Sequence, residues 1–481
     1  MNVRMDASSA APGPGLSRRR GIRWQQVALI LAAGFLLPGC ATIYRARQAQ
    51  KRDQAPPGER TVTAAEVNLR EGDTLALERA IEIARQYHPA MVQAQQNLVI
   101  AQKQTRLAIS GYVPSLTGQG SYRRATGNVQ ASTAAASGLS AAPPPSNESS
   151  DSWSAGISAE QLIWDFGRTD SAIRQASAQQ RAAEANLRAT TNTVAFQVKL
   201  AYYQLAQAQA LTQVAEDTVH QFQVHLDQAK VLFEVGRRIQ YDVTKAQVDL
   251  GHAQLNLISA RNAIKTSRAA LNSAMGLAEE PGYRITEPPA VEQTATLEEL
   301  MALAREHQPE LQAAIAEERA ASMAVNGAIA NLFPSLTFSA GYNWTGADFP
   351  LVWNWFISPA VVIQDLLAIP RKTSQIDQAV AQLRSARARR AAQEQLIYLH
   401  LSQAVAERED AKQRLELSTL VAQQAQENVD LVNERYKVGR ASAVEVTDAQ
   451  VALSQAQSDQ VTARFDYLAA VAQVQRTIGE K

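Results

Sequence analysis

A chain of 481 residues that is 46% hydrophobic and 19% charged holds enough apolar material for a large ordered core, which excludes disorder as its main state. Its 47 basic and 46 acidic residues leave a formal net charge of +1, so no excess of either sign points to nucleic acid or another polyanion as partner. A single cysteine excludes an internal disulfide and a cysteine metal cluster.

In chain order, the first segment reads as a targeting signal. Arg18, Arg19, Arg20 and Arg23 precede an apolar run over residues 27–37, too short for a comfortable membrane span. The run ends in Leu37-Pro38-Gly39-Cys40, which resembles the bacterial lipoprotein signal, where a small residue precedes a cysteine that is acylated (palmitate and its like) and becomes the new first residue. An ordinary signal peptide beside a stray thiol is the alternative, and Arg18-Arg19 leaves twin-arginine export open. The lipoprotein reading makes 1–39 a signal peptide and 40–73 a lipid-anchored linker. By the same resemblance, Ala41 in place of Asp implies sorting to the outer membrane.

From Thr74 onward, helix-like and strand-like segments alternate. Residues 74–110 read as helix, 112–124 as strand, 131–150 as an Ala/Ser/Pro-rich loop containing Pro143, Pro144 and Pro145, and 153–165 as a second strand. A long segment over 169–235 lacks Pro and is rich in Ala, Gln, Glu, Arg and Leu, all good helix formers. Within it Val219, Phe222, Leu226, Ala229 and Phe233 recur at steps of three and four, as in a coiled coil, and its length predicts a rod of roughly 100 Å. A shorter helix over 242–275 returns alongside it.

The same series then repeats. "LERAIEIARQYHP" from Leu77 falls on "LEELMALAREHQP" from Leu297, and "YVPSLTGQGSY" from Tyr112 on "LFPSLTFSAGY" from Leu332. "FEVGRRIQYDVTKAQVDL" from Phe233 falls on "YKVGRASAVEVTDAQVAL" from Tyr436. The chain is thus two structural repeats, 74–290 and 291–481, the second with helices over 297–330, 373–438 and 444–478 and strands over 332–345 and 351–363. The first is longer, and its extra residues fall in the loop over 131–150. The simplest packing sets two short helices end to end beside each long one.

Five tryptophans, Trp153, Trp164, Trp344, Trp353 and Trp355, lie in the four strand segments. They read either as membrane-interface aromatics of a barrel or as buried aromatics of a soluble sheet; their confinement to strands of membrane-spanning length favours the first. Ile157, Ala159, Gln161 and Ile163 alternate with Ser158, Glu160 and Leu162, an imperfect pattern compatible with a barrel wall. Four strands leave two edges that lipid cannot satisfy, so several chains must share one barrel. A trimer supplies twelve strands and a wide lumen, with its duplicated hairpins in near six-fold order.

The duplicated order of helix, two strands, long helix and return helix, the paired "PSLT" strand starts, "QLIWDFGR" from Gln161 to Arg168 and the two Val-Gly-Arg tips together resemble the TolC-like outer-membrane efflux family, over nearly everything after residue 74. The resemblance implies a mainly α fold with a small β part. The long helical hairpins would form a trimeric α-barrel, and four strands per chain would contribute to a shared twelve-strand β-barrel. It implies a homotrimer in outer-membrane lipid, the passive exit duct of a tripartite efflux or secretion system with a periplasmic adaptor (membrane fusion) protein and an inner-membrane transporter. It implies no enzyme activity and no cofactor. Residues 362–372, "VIQDLLAIPRK", depart from the pattern by lacking the Asp-x-Gly-Arg of the first repeat, so a differently shaped strand-to-helix junction is expected there.

By the same resemblance Val235, Gly236, Arg237, Val438, Gly439 and Arg440 would meet the adaptor. Gly236 and Gly439 read equally as helix C-caps. Glu445 and Asp448 share a helical face and match the acidic residues that close the periplasmic aperture in the family; six such carboxylates in a trimer would repel one another or recruit cations. Ser442-Ala443-Val444-Glu445 is also a capping box, which would explain Glu445 alone. At the matching places of the first repeat, Asp242 and Lys245 form a pair able to neutralise itself.

His220 and His225, five apart, do not share a face as zinc ligands would, and read as surface histidines; no metal site or catalytic pattern is expected. The competing reading is a periplasmic coiled-coil lipoprotein scaffold without channel activity.

Overall fold

The computed structural model describes residues 62–126 apart from 64, 65, 68 and 71, then 149–279, 281–288, 295–363 and 368–480, together with 42–43, 46–47 and 49–50. The signal segment, Cys40 and most of the 131–150 loop lie outside the described residues. The chain divides into two compact units, Met1–Arg60 and Thr61–Lys481, and every strand and helix named below belongs to the second.

The first repeat runs β1 (Thr74–Leu75), α1 (Leu77–Tyr87), α2 (Pro89–Ile109), β2 (Ser115–Thr126), β3 (Ser149–Trp164), α3 (Arg168–Glu234) and α4 (Gln240–Met275). A short strand, β4 (Arg284–Ile285), links it to α5 (Leu297–His307), α6 (Pro309–Ala330), β5 (Ser335–Gly346), β6 (Val352–Val362), α7 (Ile369–Lys437) and α8 (Ala443–Ile478). The helices expected over 74–110 and 297–330 are each two helices. Pro89 and Pro309 supply no N–H and force the preceding residue out of the helical region, so His88 and Gln308 are extended at ψ 130° and 116°. The proline that breaks one helix then starts the next, and the His88 Nδ1 caps α2 by accepting from the Ala90 N–H at 3.2 Å.

The long helices α3 and α7, of 67 and 69 residues, are each about 100 Å in length. Helix α3 is the hub: α2 and α4 pack along it, as do α6 and α8 of the other repeat, which pack against α7 as well. Most of the small residues at these seams are alanines, such as Ala178, Ala182, Ala185 and Ala229 on α3, so helix axes can approach closely. The largest apolar cluster lies midway, where α1, β1, β4, α3 and α8 meet around Tyr202, whose buried hydroxyl lies 2.6 Å from the Thr286 carbonyl. Separate clusters hold the far ends of the hairpins, Phe222, Leu226, Ala229 and Val243 in the first repeat and Val432, Tyr436, Val446 and Leu453 in the second.

The main sheet has the antiparallel order β2-β3-β5-β6, so the repeats join at β3 and β5, while β2 and β6 form its edges. Between β3 and α3 the chain turns through two left-handed residues, Phe166 at φ 54° and Gly167 at φ 85°. The Asp165 carboxylate accepts from the Thr169 N–H at 2.8 Å and its hydroxyl at 2.6 Å, filling part of the helix start. Asp165→Ala is therefore expected to destabilise this junction by about 1–2 kcal/mol, the usual worth of a helix-capping side chain, read by thermal unfolding in detergent. In the second repeat residues 364–367 lie outside the described ones, and α7 begins with Pro370 in its first turn. Among the described residues no helix is long and apolar enough to cross a membrane.

Candidate functional site

Strand register sorts every residue of the main sheet onto one of two faces. Tyr342 lies opposite both Ile157 and Trp355, Ala340 opposite both Ala159 and Ile357, and Trp344 opposite both Ala155 and Trp353. One face therefore carries Leu336, Phe338, Ala340, Tyr342 and Trp344 on β5 and Trp353, Trp355, Ile357, Pro359 and Val361 on β6, with no charge on these two strands; at its loop end β2 and β3 add the ion pair Arg124–Asp151. The other face carries Thr117, Gln119, Ser121 and Arg123 on β2, and Thr337, Ser339 and Asn343 on β5. The alternation expected on β3 holds through Gln161. A bulge between Leu162 and Trp164 then drops Ile163 out of register and sets Trp164 opposite Leu336, so that all five tryptophans share the apolar face.

Aromatic groups cluster at both ends of this face. At the loop end Trp153 packs on Tyr122 and Phe349, and Tyr342 on Trp344 and Trp353; at the helix end Phe166 bridges Trp164 and Phe333. From Trp153 to Trp164 the strand climbs about 36 Å, which a tilt of about 45° reduces to about 25 Å, the height of the apolar band of an outer-membrane barrel.

At the opposite end of the long helices both tips close alike. Gly236 and Gly439, at φ 74° and 78°, follow the last helical turn. The Gly236 and Arg237 N–H groups donate to Phe233 and Leu232, and those of Gly439 and Arg440 to Tyr436 and Arg435. This is the Schellman pattern, so the glycines do cap the helices, since only a residue without Cβ takes this backbone cheaply. Val235, Arg237, Val438 and Arg440 are all exposed. They form two similar knobs.

The knobs are joined by a residue that the sequence reading passed over. Arg238 Nη2 donates to the Ala441 carbonyl at 2.7 Å, its guanidinium lies 4.5 Å from the Tyr436 ring centre, and Nη1 is 3.9 Å from Asp242. Its signal was Asp242 four residues on, one turn away along the chain. Arg238→Ala is expected to cost about 1.5–3 kcal/mol, that of a charged hydrogen bond, and to speed hydrogen exchange in both tips together. The self-neutralising Asp242–Lys245 pair is not found. Lys245 Nζ instead reaches Asp249 at 2.6 Å, one turn on, while Asp242 faces Arg238, and Asp249 also accepts from Thr447 Oγ1 at 3.0 Å across the repeats.

Glu445 completes the capping box: Ser442 Oγ accepts from the Glu445 N–H at 3.2 Å, and Glu445 Oε1 accepts from the Ser442 N–H at 3.1 Å. The hydrogen bonds from Ser442, helped by nearby Arg435, hold its carboxyl below the usual range, so it remains charged at neutral pH. Asp448 is exposed on the same face one turn further, outside that capping arrangement. His225 is not a surface residue: it is 2% exposed and packs its ring 5.3 Å from that of Tyr436. Among the described residues no three or more His, Cys, Asp or Glu side chains come together as a metal site.

A sheet with one apolar face and two open edges, mounted on helices of about 100 Å, defines a channel-type protein of the outer membrane. The family model described as outer membrane efflux protein matches residues 80–277 and 300–480, and the chain belongs to that family. It is an outer-membrane efflux channel, a transport duct and not an enzyme. The antibiotic efflux pump outer membrane protein ArpC of Pseudomonas putida is 24% identical to it over 476 residues, 94% of each chain. The probable efflux pump outer membrane protein TtgC of Pseudomonas putida is equally similar, 24% over 476 residues and 94% of each chain. Solved structures share the fold, two of them as follows. VceC of Vibrio cholerae has TM-score 0.71 and 19% identity, covering 84% of this chain and 96% of its own. The Campylobacter jejuni CmeC channel has TM-score 0.73 and 14% identity, covering 84% and 85%.

Proposed function

We propose that three copies close one twelve-strand barrel in the outer membrane and continue it as a helical tube. The bore would narrow at Glu445 and Asp448, and the knobs at Val235–Arg237 and Val438–Arg440 would receive a periplasmic adaptor bound to an inner-membrane transporter. The observation that carries this is the main sheet: its apolar face needs lipid, and its edges β2 and β6 need strands that the described residues of one chain do not supply. Eight strands from a dimer would leave an interior filled by side chains, whereas twelve leave a bore. In this reading Cys40, acylated after removal of residues 1–39, adds a second hold on the outer membrane through the 40–73 linker. The two repeats, 74–290 and 291–481, would alternate around the axis.

The test is crosslinking of detergent-extracted membranes followed by conductance in planar bilayers, on the full chain and on Cys40→Ser. A trimer with ohmic conductance in both proteins is expected, because the barrel itself holds the membrane. A monomer, or release of Cys40→Ser without detergent, would instead support a periplasmic lipoprotein scaffold.

A further inference from the structure

Between α3, α7 and α8, just above the tips, lies a half-open pocket of about 300 Å³ lined by His225, Gln450, Gln221, Gln228, Asn433 and Lys437, among others. Two of its lining groups are buried without hydrogen-bond partners, His225 Nδ1 and Gln450 Oε1, and the neighbouring Tyr436 hydroxyl is a third. Orphaned polar atoms so close together are costly in a packed joint, and they set what that joint tolerates. The Tyr436 ring packs at a tilt against that of His225, 5.3 Å away, and the Arg238 guanidinium lies 4.5 Å from its centre. Arg238 in turn holds the Ala441 carbonyl, so one stack connects α3 to both tips.

We propose that His225 is an acid-operated release for the tips: protonation of its imidazole unpacks the stack His225–Tyr436–Arg238 and lets the two knobs part. The inference rests on the reading above that the tips close the bore, and it adds what opens them.

An imidazolium has two N–H donors to satisfy, and Nδ1 has no hydrogen-bond partner in the packed joint. The groups that face His225 do not rescue it. On α4, Asp249 is occupied by Lys245 and Thr447, and Asp242 by Arg238, while the Lys245 and Arg238 charges themselves oppose a further cation. On α7, Tyr436 is neutral, and Asp430 and Lys437, which line the same pocket, bring charges of opposite sign. Helix α8 contributes the amide of Gln450, whose unpaired Oε1 is not bonded to Nδ1 in the packed joint and would have to move to accept from it, and α3 itself a second imidazole, His220.

Burial outweighs the pull of Asp249 and Asp242, and it holds the His225 pKa below the ordinary imidazole value of about 6.5. The sign follows. The packed joint prefers neutral imidazole, so its stability is full above about pH 6.5 and falls as acidity carries the group toward its lowered pKa.

Spin labels at the exposed positions Ile239→Cys and Val444→Cys of the full-length, membrane-reconstituted protein read the tips whether or not the bore conducts. Acidification from about pH 7.5 to about pH 5 is expected to broaden the label separation reversibly in the parent, with a midpoint below about 6.5, and to leave His225→Phe unchanged. His225→Gln gives the same readout if the phenylalanine disturbs assembly. Broadening that persists in either variant, or its absence in the parent, overturns the proposal. So does broadening that survives in His225→Phe but disappears in Glu445→Gln/Asp448→Asn, which would assign the response to the aperture carboxylates. Acid-broadened tips in a protein without conductance would uphold the switch and reject the channel closure it is meant to serve.

Discussion

Ala340→Arg is expected to abolish assembly in the outer membrane, whereas Thr117→Arg leaves it intact. Ala340 sits on the apolar face midway along β5, paired with Ala159 and Ile357, between the two aromatic clusters. An arginine at the middle of the lipid-facing wall costs about 2–4 kcal/mol per chain, a shift of roughly 30-fold to nearly 1,000-fold in the insertion equilibrium. Thr117 lies on the face that already carries Arg123, and there a new guanidinium would meet water in the bore. Heat-modifiable migration and membrane fractionation report assembly; planar bilayers report the altered ion preference of Thr117→Arg. If both variants assemble equally well, the sheet does not face lipid.

Glu445→Gln with Asp448→Asn is expected to raise single-channel conductance and bring the cation-to-anion permeability ratio toward unity. Rings of carboxylates set cation preference by charge at close quarters, and mutual repulsion or a captured cation controls how tightly the ring shuts. Glutamine keeps the capping box, because its side-chain oxygen can still accept from the Ser442 N–H, so the double variant removes charge while the helix start persists. Ser442→Ala separates the two roles of Glu445: it loses the acceptor for the Glu445 N–H, at a cost of about 1 kcal/mol, and leaves the carboxylate. Unchanged conductance and selectivity in the double variant, with a changed Ser442→Ala, would reduce Glu445 to a capping residue.

Periodicity and composition were enough for the long rods and the strands, since these are local properties written every two or three to four residues, and the duplication showed as matching blocks some two hundred residues apart. The helix breaks at His88-Pro89 and Gln308-Pro309 were equally local, and were missed by reading the helical pattern through a proline. The tip glycines were legible because a left-handed residue at a helix end nearly demands one.

The chemistry of the tips was not legible in this way. His225 and His220 look alike along the chain, but only His225 falls where Tyr436 and Gln450, some two hundred residues later in sequence, cover it. Arg237 and Arg238 are neighbours with the same charge, yet Arg238 alone reaches Ala441 and Tyr436. The bulge that returns Trp164 to the apolar face likewise depends on where β5 pairs with β3. Alternation along one strand cannot show it.

By itself the sequence determined the parts list: two repeats, read from self-similarity along the chain, and long rods, four strands with their tryptophans and capped tips, each set by residues within a few positions of one another. Tertiary structure alone decided which polar side chains are buried and which charges are paired. Burial and electrostatic energy depend on whatever the fold brings within a few ångströms, and at the tips that neighbour comes from the other repeat.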